Sequence, residues 1–264
     1  MNHLNLKLPL LLSAAYIVQL CVLVPQPPPK EDAQARFISV EPRHSRETFR
    51  WLPKFIMVSP TSARHLGAHR GCTSKRTVWA ACLCESAILI AYQFPAHHLS
   101  RRVLQALIRG PAPDTFAGVG IRVTVPFIIG WCFLIAGTFI RQSCYRTLGH
   151  FFTAELALHE DHKLVTSGPY TLVRHPSYTG GIMGAFGVAL MQMCPGSWLS
   201  ECMGIWDTRS GTVFCYSWFA ILGIVSVQMI RRTGIEDRVL KDEFGKQWED
   251  WAQGAKWRLV PGIF

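Results

Sequence analysis

The sequence predicts an all-α, polytopic integral membrane protein with about five transmembrane helices, and three observations predict it. Nearly half of the 264 residues (49%) are apolar. Only 17% are charged, against about 25% in a soluble domain. Five apolar runs reach or approach the roughly 20 residues that an α-helix needs to cross a bilayer core: Leu8–Val24, Thr77–Phe94, Val119–Ile140, Tyr178–Cys194 and Thr212–Ile230.

The first run, within residues 1–25, opens the chain behind Lys7. It reads as a membrane helix or as a secretory signal peptide. Pro25-Gln26-Pro27-Pro28-Pro29 makes a poor small-residue cleavage site and favours retention. Residues 26–76 form a basic linker rich in Pro, Arg and Ser, with one apolar knot at Phe49, Trp51, Leu52, Phe55 and Ile56. Disorder and a short interfacial helix both fit that composition. Residues 77–140 hold the second and third spans. Glu85 lies inside the second, where an ionisable group is a functional candidate by default or reaches headgroups from near the helix end. Residues 141–264 hold the last two spans and two polar blocks around them.

Charge orients the spans. Ten basic residues lie between Lys30 and Arg76, and the segments after the third and fifth spans are basic too, whereas the 195–211 loop has only Arg209. The positive-inside rule puts the basic segments in the cytosol and the 195–211 loop in the lumen. Arg101, Arg102 and Arg109 run against this orientation. The net charge of +10 is thereby read as membrane topology and attraction to the anionic headgroups of a lipid bilayer. No nucleic acid is expected as partner, since that would need a soluble basic face. Most of the nine cysteines lie in apolar runs as small hydrophobes, with no paired CxxC spacing, so neither a disulfide framework nor a zinc ribbon is expected.

The first polar block runs from Arg141 to Ser177 and turns at Thr166-Ser167-Gly168-Pro169. The second runs from Arg231 to Phe264, where Leu240, Phe244, Trp248 and Trp251 recur at helical spacing and predict an amphipathic helix stopped near Gly254. The two blocks flank the last two spans on the same predicted side and can converge there. His159 and His162, three residues apart beside Glu155 and Asp161, also suggest a metal site, but no third ligand stands at suitable spacing, and none is assigned.

The run His162-Lys163-Leu164-Val165-Thr166-Ser167-Gly168-Pro169-Tyr170, followed by Val173-Arg174-His175-Pro176-Ser177-Tyr178-Thr179-Gly180, resembles isoprenylcysteine carboxyl methyltransferases. The tail from Arg232 through Glu236-Asp237, Leu240, Phe244-Gly245, Trp248 and Trp251 to Trp257-Arg258-Leu259-Val260-Pro261-Gly262-Ile263-Phe264 resembles that family's C-terminal element. Phospholipid N-methyltransferases and some membrane sterol reductases carry similar Arg-His-Pro-x-Tyr-x-Gly cores. The resemblance implies methyl transfer from S-adenosyl-L-methionine to the C-terminal carboxylate of a prenylated cysteine on a protein or peptide. It places the chain in the endoplasmic reticulum membrane with its catalytic segments facing the cytosol. It also implies a cofactor pocket formed by the C-terminal half without a Rossmann domain. By the same resemblance the cofactor contacts are Glu155, His162, Lys163, Leu164, Val165, Tyr170, His175, Pro176, Ser177, Tyr178 and Glu236. Arg174 and Arg232 are the candidate catalytic residues, and Arg232 matches the arginine that relatives use for the substrate.

The residue types suit that chemistry. The methyl donor carries an ammonium, a carboxylate and a sulfonium, which ask for an acid, cationic donors and aromatic faces. An acceptor carboxylate, with a pKa of about 3.5, is already ionised at neutral pH and needs a positioning cation and exclusion of water, not a base. Plainer roles stay open: His175 as a helix cap, Arg231 and Arg232 as membrane anchors, Tyr170 and Tyr178 as interfacial aromatics, and Trp248 and Trp251 as packing. The chain departs from the family pattern at Trp248 and Trp251, where many relatives have tyrosines, and at Asp237, where a second glutamate is common; these changes bear on acceptor fit. A phospholipid N-methyltransferase and a non-enzymatic membrane adaptor are the competing readings.

Overall fold

The computed structural model describes residues 3–22, 73–110, 119–152 and 163–264. Helices stand at all five expected places: α1 (His3–Val22), α2 (Thr73–Gln93), α4 (Val125–Leu148), α5 (Pro176–Met193) and α7 (Arg209–Phe244). Shorter helices join them: α3 (His98–Leu107), α6 (Trp198–Glu201) and α8 (Lys246–Gly254). Among the described residues there is no strand, only one isolated bridge between Val173 and Trp257. Among the described residues, three stretches suffice by length and composition to cross a membrane: Val125–Phe151, Pro176–Glu201 and Arg209–Phe244. The apolar part of α1, Leu6–Val22, is shorter, and α2 carries Lys75, Arg76 and Glu85. Almost all of the 26–76 linker lies outside the described residues.

The last apolar span and the second polar block are one element. α7 runs 36 residues without interruption, through Thr212–Ile230 and on past Arg232, Glu236 and Asp237 to Phe244. Only 17% of its apolar window is buried, and Val213, Phe214, Ile221, Ile224 and Val227 lie exposed, as expected of a lipid-facing helix. The expected amphipathic helix is therefore split. Leu240 and Phe244 end α7, and Trp248 and Trp251 belong to α8. Gly245 stands between them at φ +50°, a left-handed conformation that a side chain strains.

The chain divides into two compact units. One comprises Met1–Gln19, Lys75–Ala136 and Met183–Gly223; the other comprises Leu20–Ser74, Gly137–Ile182 and Ile224–Phe264.

In the first unit, α4 and α5 meet at two glycines. A Cβ on Gly130 would stand 2.7 Å from the Gly187 carbonyl oxygen, and one on Gly187 2.6 Å from that of Gly130. Small residues let backbones approach where no water drives helices together. The Trp131 indole donates to Ser13 Oγ at 3.1 Å, tying α1 to α4. A buried ion pair lies nearby: Lys7 Nζ sits 2.5 Å from Glu85 Oε1, both side chains 1% exposed. Lys7 also donates to the Gly196 carbonyl and stands 5.0 Å from the centre of the Phe127 ring. Glu85 Oε2 accepts from the Trp198 backbone N–H. Glu85 thus does not reach headgroups, because Lys7 and the first N–H of α6 hold it inside the unit. Lys7, expected only to flank the first apolar run, is its partner.

In the second unit the same helices repeat the glycine contact seven residues along. A Cβ on Gly180 would stand 2.6 Å from the Gly137 carbonyl oxygen and 2.9 Å from Arg141 Cγ. Cys144, Tyr145, Phe152 and Tyr170 form the core here, with Leu148 and Trp251 packed against it. Gly168, at φ +61°, begins the turn that brings Tyr170 into that core, and a Cβ there would meet Thr147 Oγ1 at 2.8 Å.

Candidate active site

The site is built at the start of α5. Pro176 opens the helix, where its missing N–H costs nothing. The extended residues before it are satisfied by the C-terminal tail: Arg174 N–H donates to the Trp257 carbonyl at 2.9 Å and His175 N–H to that of Arg258 at 2.8 Å. Thr179 Oγ1 adds a bond to the Leu259 carbonyl. Backbone groups near a bilayer need such internal partners. This strap presents Arg174 and His175 to α7, within the same unit.

His175 lies between two carboxylates. Its Nδ1 stands 3.1 Å from Glu236 Oε2 and its Nε2 2.9 Å from Asp237 Oδ1. A carboxylate offers only lone pairs, so both ring nitrogens must carry a proton, and His175 is an imidazolium. Burial opposes that charge, but the hydrogen bonds to Asp237 and Glu236 outweigh it and raise the pKa above its ordinary value.

Each carboxylate has further partners. Glu236 Oε1 accepts from the Tyr178 hydroxyl at 2.6 Å and from Arg232 Nε at 3.2 Å, one helical turn away. Asp237 Oδ2 accepts from Arg174 Nη1 at 2.9 Å and Arg258 Nε at 3.0 Å. Arg174 Nη2 donates to the Lys256 carbonyl at 3.1 Å. Burial lowers the Arg174 pKa, with Asp237 working against the shift. Four cationic side chains thus face two carboxylates among the described residues.

Of the expected site residues, the structure brings Arg174, His175, Tyr178, Arg232 and Glu236 into this one cluster. Arg232 is buried while Arg231 is exposed, so Arg232 is no surface anchor. Tyr178 serves Glu236 and Tyr170 is buried in the core, which removes both from an interfacial belt. The Tyr170 carbonyl accepts from the Trp251 indole at 3.1 Å. Pro176 and Ser177 form the first turn of α5, and the Ser177 carbonyl accepts from Arg141 Nη1 at 3.3 Å. Lys163, Leu164 and Val165 form an extended segment ahead of the Gly168 turn, with Lys163 exposed. Glu155 and His162 lie outside the described residues, as does His159.

Three participants were not among the expected site residues. Asp237 was noted only as a departure beside Glu236, yet it holds the second nitrogen of His175. Arg258 lies in the tail that carried the resemblance, with nothing in its spacing to link it to α7. Arg141, 2% exposed, donates from Nε to the Cys21 carbonyl at 2.7 Å and from Nη2 to the Tyr145 hydroxyl. An arginine closing an apolar run was a readable signal for that role.

The cluster gathers an acid (Glu236), several guanidinium groups and the rings of Tyr178 and Trp248. Two buried donors there, Arg174 Nε and Trp248 Nε1, have no partner among the described residues, as in a site that awaits an anionic group.

Residues 129–204 match the Isoprenylcysteine carboxyl methyltransferase (ICMT) family model. The chain is 29% identical over 127 residues to a probable protein-S-isoprenylcysteine O-methyltransferase of Oryza sativa subsp. indica, covering 47% of this chain and 56% of that protein. It is 30% identical over 126 residues to protein-S-isoprenylcysteine O-methyltransferase B of Arabidopsis thaliana, covering 47% and 54%. A 7-dehydrocholesterol reductase of Danio rerio is 28% identical over 112 residues, 42% of this chain and 19% of that protein. No solved structure matches. The chain thus spans about half the length of the methyltransferases it matches. The stretch that matches this family model supplies Arg174, His175 and Tyr178 to the cluster.

Proposed function

We propose that this protein is a membrane methyltransferase that uses S-adenosyl-L-methionine to esterify the C-terminal carboxylate of a prenylated cysteine, at the endoplasmic reticulum with its catalytic segments toward the cytosol. The donor, when bound, supplies an electrophilic methyl group. The observation that carries the reading is the doubly bonded His175. An imidazolium fixed between Glu236 and Asp237 has no lone pair with which to take a proton. Such a site suits an acceptor that is already ionised. A protonated amine would first have to lose a proton.

The residues then divide the work. Glu236 Oε2 faces only His175 among the described residues and has lone-pair capacity left for the donor's ammonium. Lys163, Leu164, Val165, Pro176 and Ser177 line the remaining donor contacts. Arg232, steadied by Glu236, positions the acceptor carboxylate. Burial of the cluster keeps water out, and the apolar surface of α7 gives a prenyl chain a route from lipid.

The test is an incubation of membranes carrying this chain with methyl-labelled donor, N-acetyl-farnesylcysteine and phosphatidylethanolamine. Label is expected in the prenylcysteine fraction and should be released as methanol by mild base, as an ester is. Base-stable label in phospholipid, with none in prenylcysteine, would replace this reading with amine methylation.

A further inference from the structure

Trp248 stands out in the cluster. It is 9% exposed, and its indole N–H has no partner among the described residues. Packing alone, the role its spacing suggests, does not explain a tryptophan whose polar edge is buried and unused. Arg174 has the same feature. Its two terminal nitrogens are spent on Asp237 and the Lys256 carbonyl, while Nε is buried without a partner. The two groups are adjacent, with the guanidinium carbon 5.7 Å from the centre of the Trp248 ring.

Both orphan atoms are pure donors, since neither an indole nor a guanidinium can accept a hydrogen bond. The missing partner is therefore an acceptor. It is also an anion, because four cations face two carboxylates in this cluster. It has two oxygens to offer to two donors, and a phosphate would bring further oxygens into a buried place. We propose that Arg174 Nε and Trp248 Nε1 form a subsite for a ligand carboxylate. This rests on the proposed function, in which two molecules bring one: the methionine part of the donor and the prenylcysteine acceptor.

The experiment uses the full chain in lipid nanodiscs and four probes. Two are S-adenosylhomocysteine and its analogue lacking the carboxylate; two are farnesylcysteine and its analogue lacking the carboxylate. Trp248→Phe keeps the ring over which Arg174 lies and removes only the N–H. It is expected to weaken one carboxylate-bearing probe by about tenfold or more, while its carboxylate-free counterpart keeps its affinity within about twofold. Which probe responds identifies the source. Arg174→Lys, which keeps the charge and a donor for Asp237 but lacks Nε, should single out the same probe. Equal losses with and without the carboxylate, or no loss at all, would overturn the subsite. Should one variant fail to fold, the other decides by the same comparison of each probe with its carboxylate-free counterpart. Failure of the function separates cleanly. A wild type that methylates prenylcysteine but is indifferent to the ligand carboxylates refutes the subsite alone. A wild type that methylates no prenylcysteine yet shows Trp248-dependent carboxylate binding refutes only the substrate.

Discussion

Lys7 and Glu85 in one unit, and Arg174, His175, Arg232, Glu236 and Asp237 in the other, are ionic groups buried or partly buried in an apolar protein, but they are completed differently. The first set closes on itself: one cation, one anion, the Gly196 carbonyl and the Trp198 N–H, with both charged side chains 1% exposed. The second set is left open, with cations in excess and two buried donors without a partner among the described residues. A balanced pair has no further charge to offer and fixes α1 against α2 and the loop at Gly196. An unbalanced cluster asks for an anion from outside. Burial of charge alone therefore does not mark a site; incompleteness does.

The largest effect that would break this contrast is on stability. Glu85→Ala leaves the Lys7 ammonium buried and alone, and should lower unfolding stability in detergent by about 3–5 kcal/mol. Lys7→Met combined with Glu85→Leu should recover most of that loss, with turnover per folded molecule preserved. A collapse of turnover in the well-folded double variant would mean that the closed pair is functional after all.

Arg232→Ala should act the other way. Prenylcysteine turnover should fall about a hundredfold, about 2.7 kcal/mol of transition-state stabilisation, while S-adenosylhomocysteine affinity stays within a few-fold. Arg232→Lys should recover little, since Nε contacts Glu236 and a point charge does not replace a planar fork. Single-turnover kinetics and calorimetry separate the two quantities, and intact turnover would remove Arg232 from the reaction.

The paired glycines sharpen the contrast further. Gly187→Ala and Gly180→Ala each force a Cβ to within about 2.6 Å of a carbonyl oxygen, and each should cost about 1–3 kcal/mol. Only Gly180→Ala also presses on Arg141, which holds the Ser177 carbonyl. Its KM should rise as well, whereas Gly187→Ala should leave the KM of the folded fraction unchanged.

The smallest effect is graded with pH. The folded pKa of His175 is raised above its ordinary 6.5, so its contribution to stability is fully present below that value. It is lost as pH climbs through the folded pKa. Melting temperature should decline as pH rises above about 6.5, and the decline should be shallower in His175→Asn. Identical slopes would show that the imidazolium contributes nothing to the fold.

Local chemistry made much of this legible. Apolar runs placed a helix at each of the five expected positions, because the membrane leaves a helix as the way to satisfy backbone hydrogen bonds. Turn residues marked Gly168, and motif density marked Arg174 to Tyr178. The boundary of the last span was less legible. Nothing at Ile230 breaks a helix, so α7 carries on through fourteen further residues into the polar block.

What the sequence determined by itself was helix content, the membrane class, and which two blocks hold the clustered polar side chains, since these follow from composition and spacing along one chain. Only the tertiary structure decided who meets whom. Glu85 finds Lys7 across 78 positions, and His175 finds Asp237 across 62. The first pairing depends on how helices cross, and the second also on a tail strap that satisfies the N–H groups of Arg174 and His175. Side chains so far apart in sequence share no local pattern. Their contact energies exist only once the helices have packed, which is why a closed ion pair and an open cluster look alike until the structure is seen.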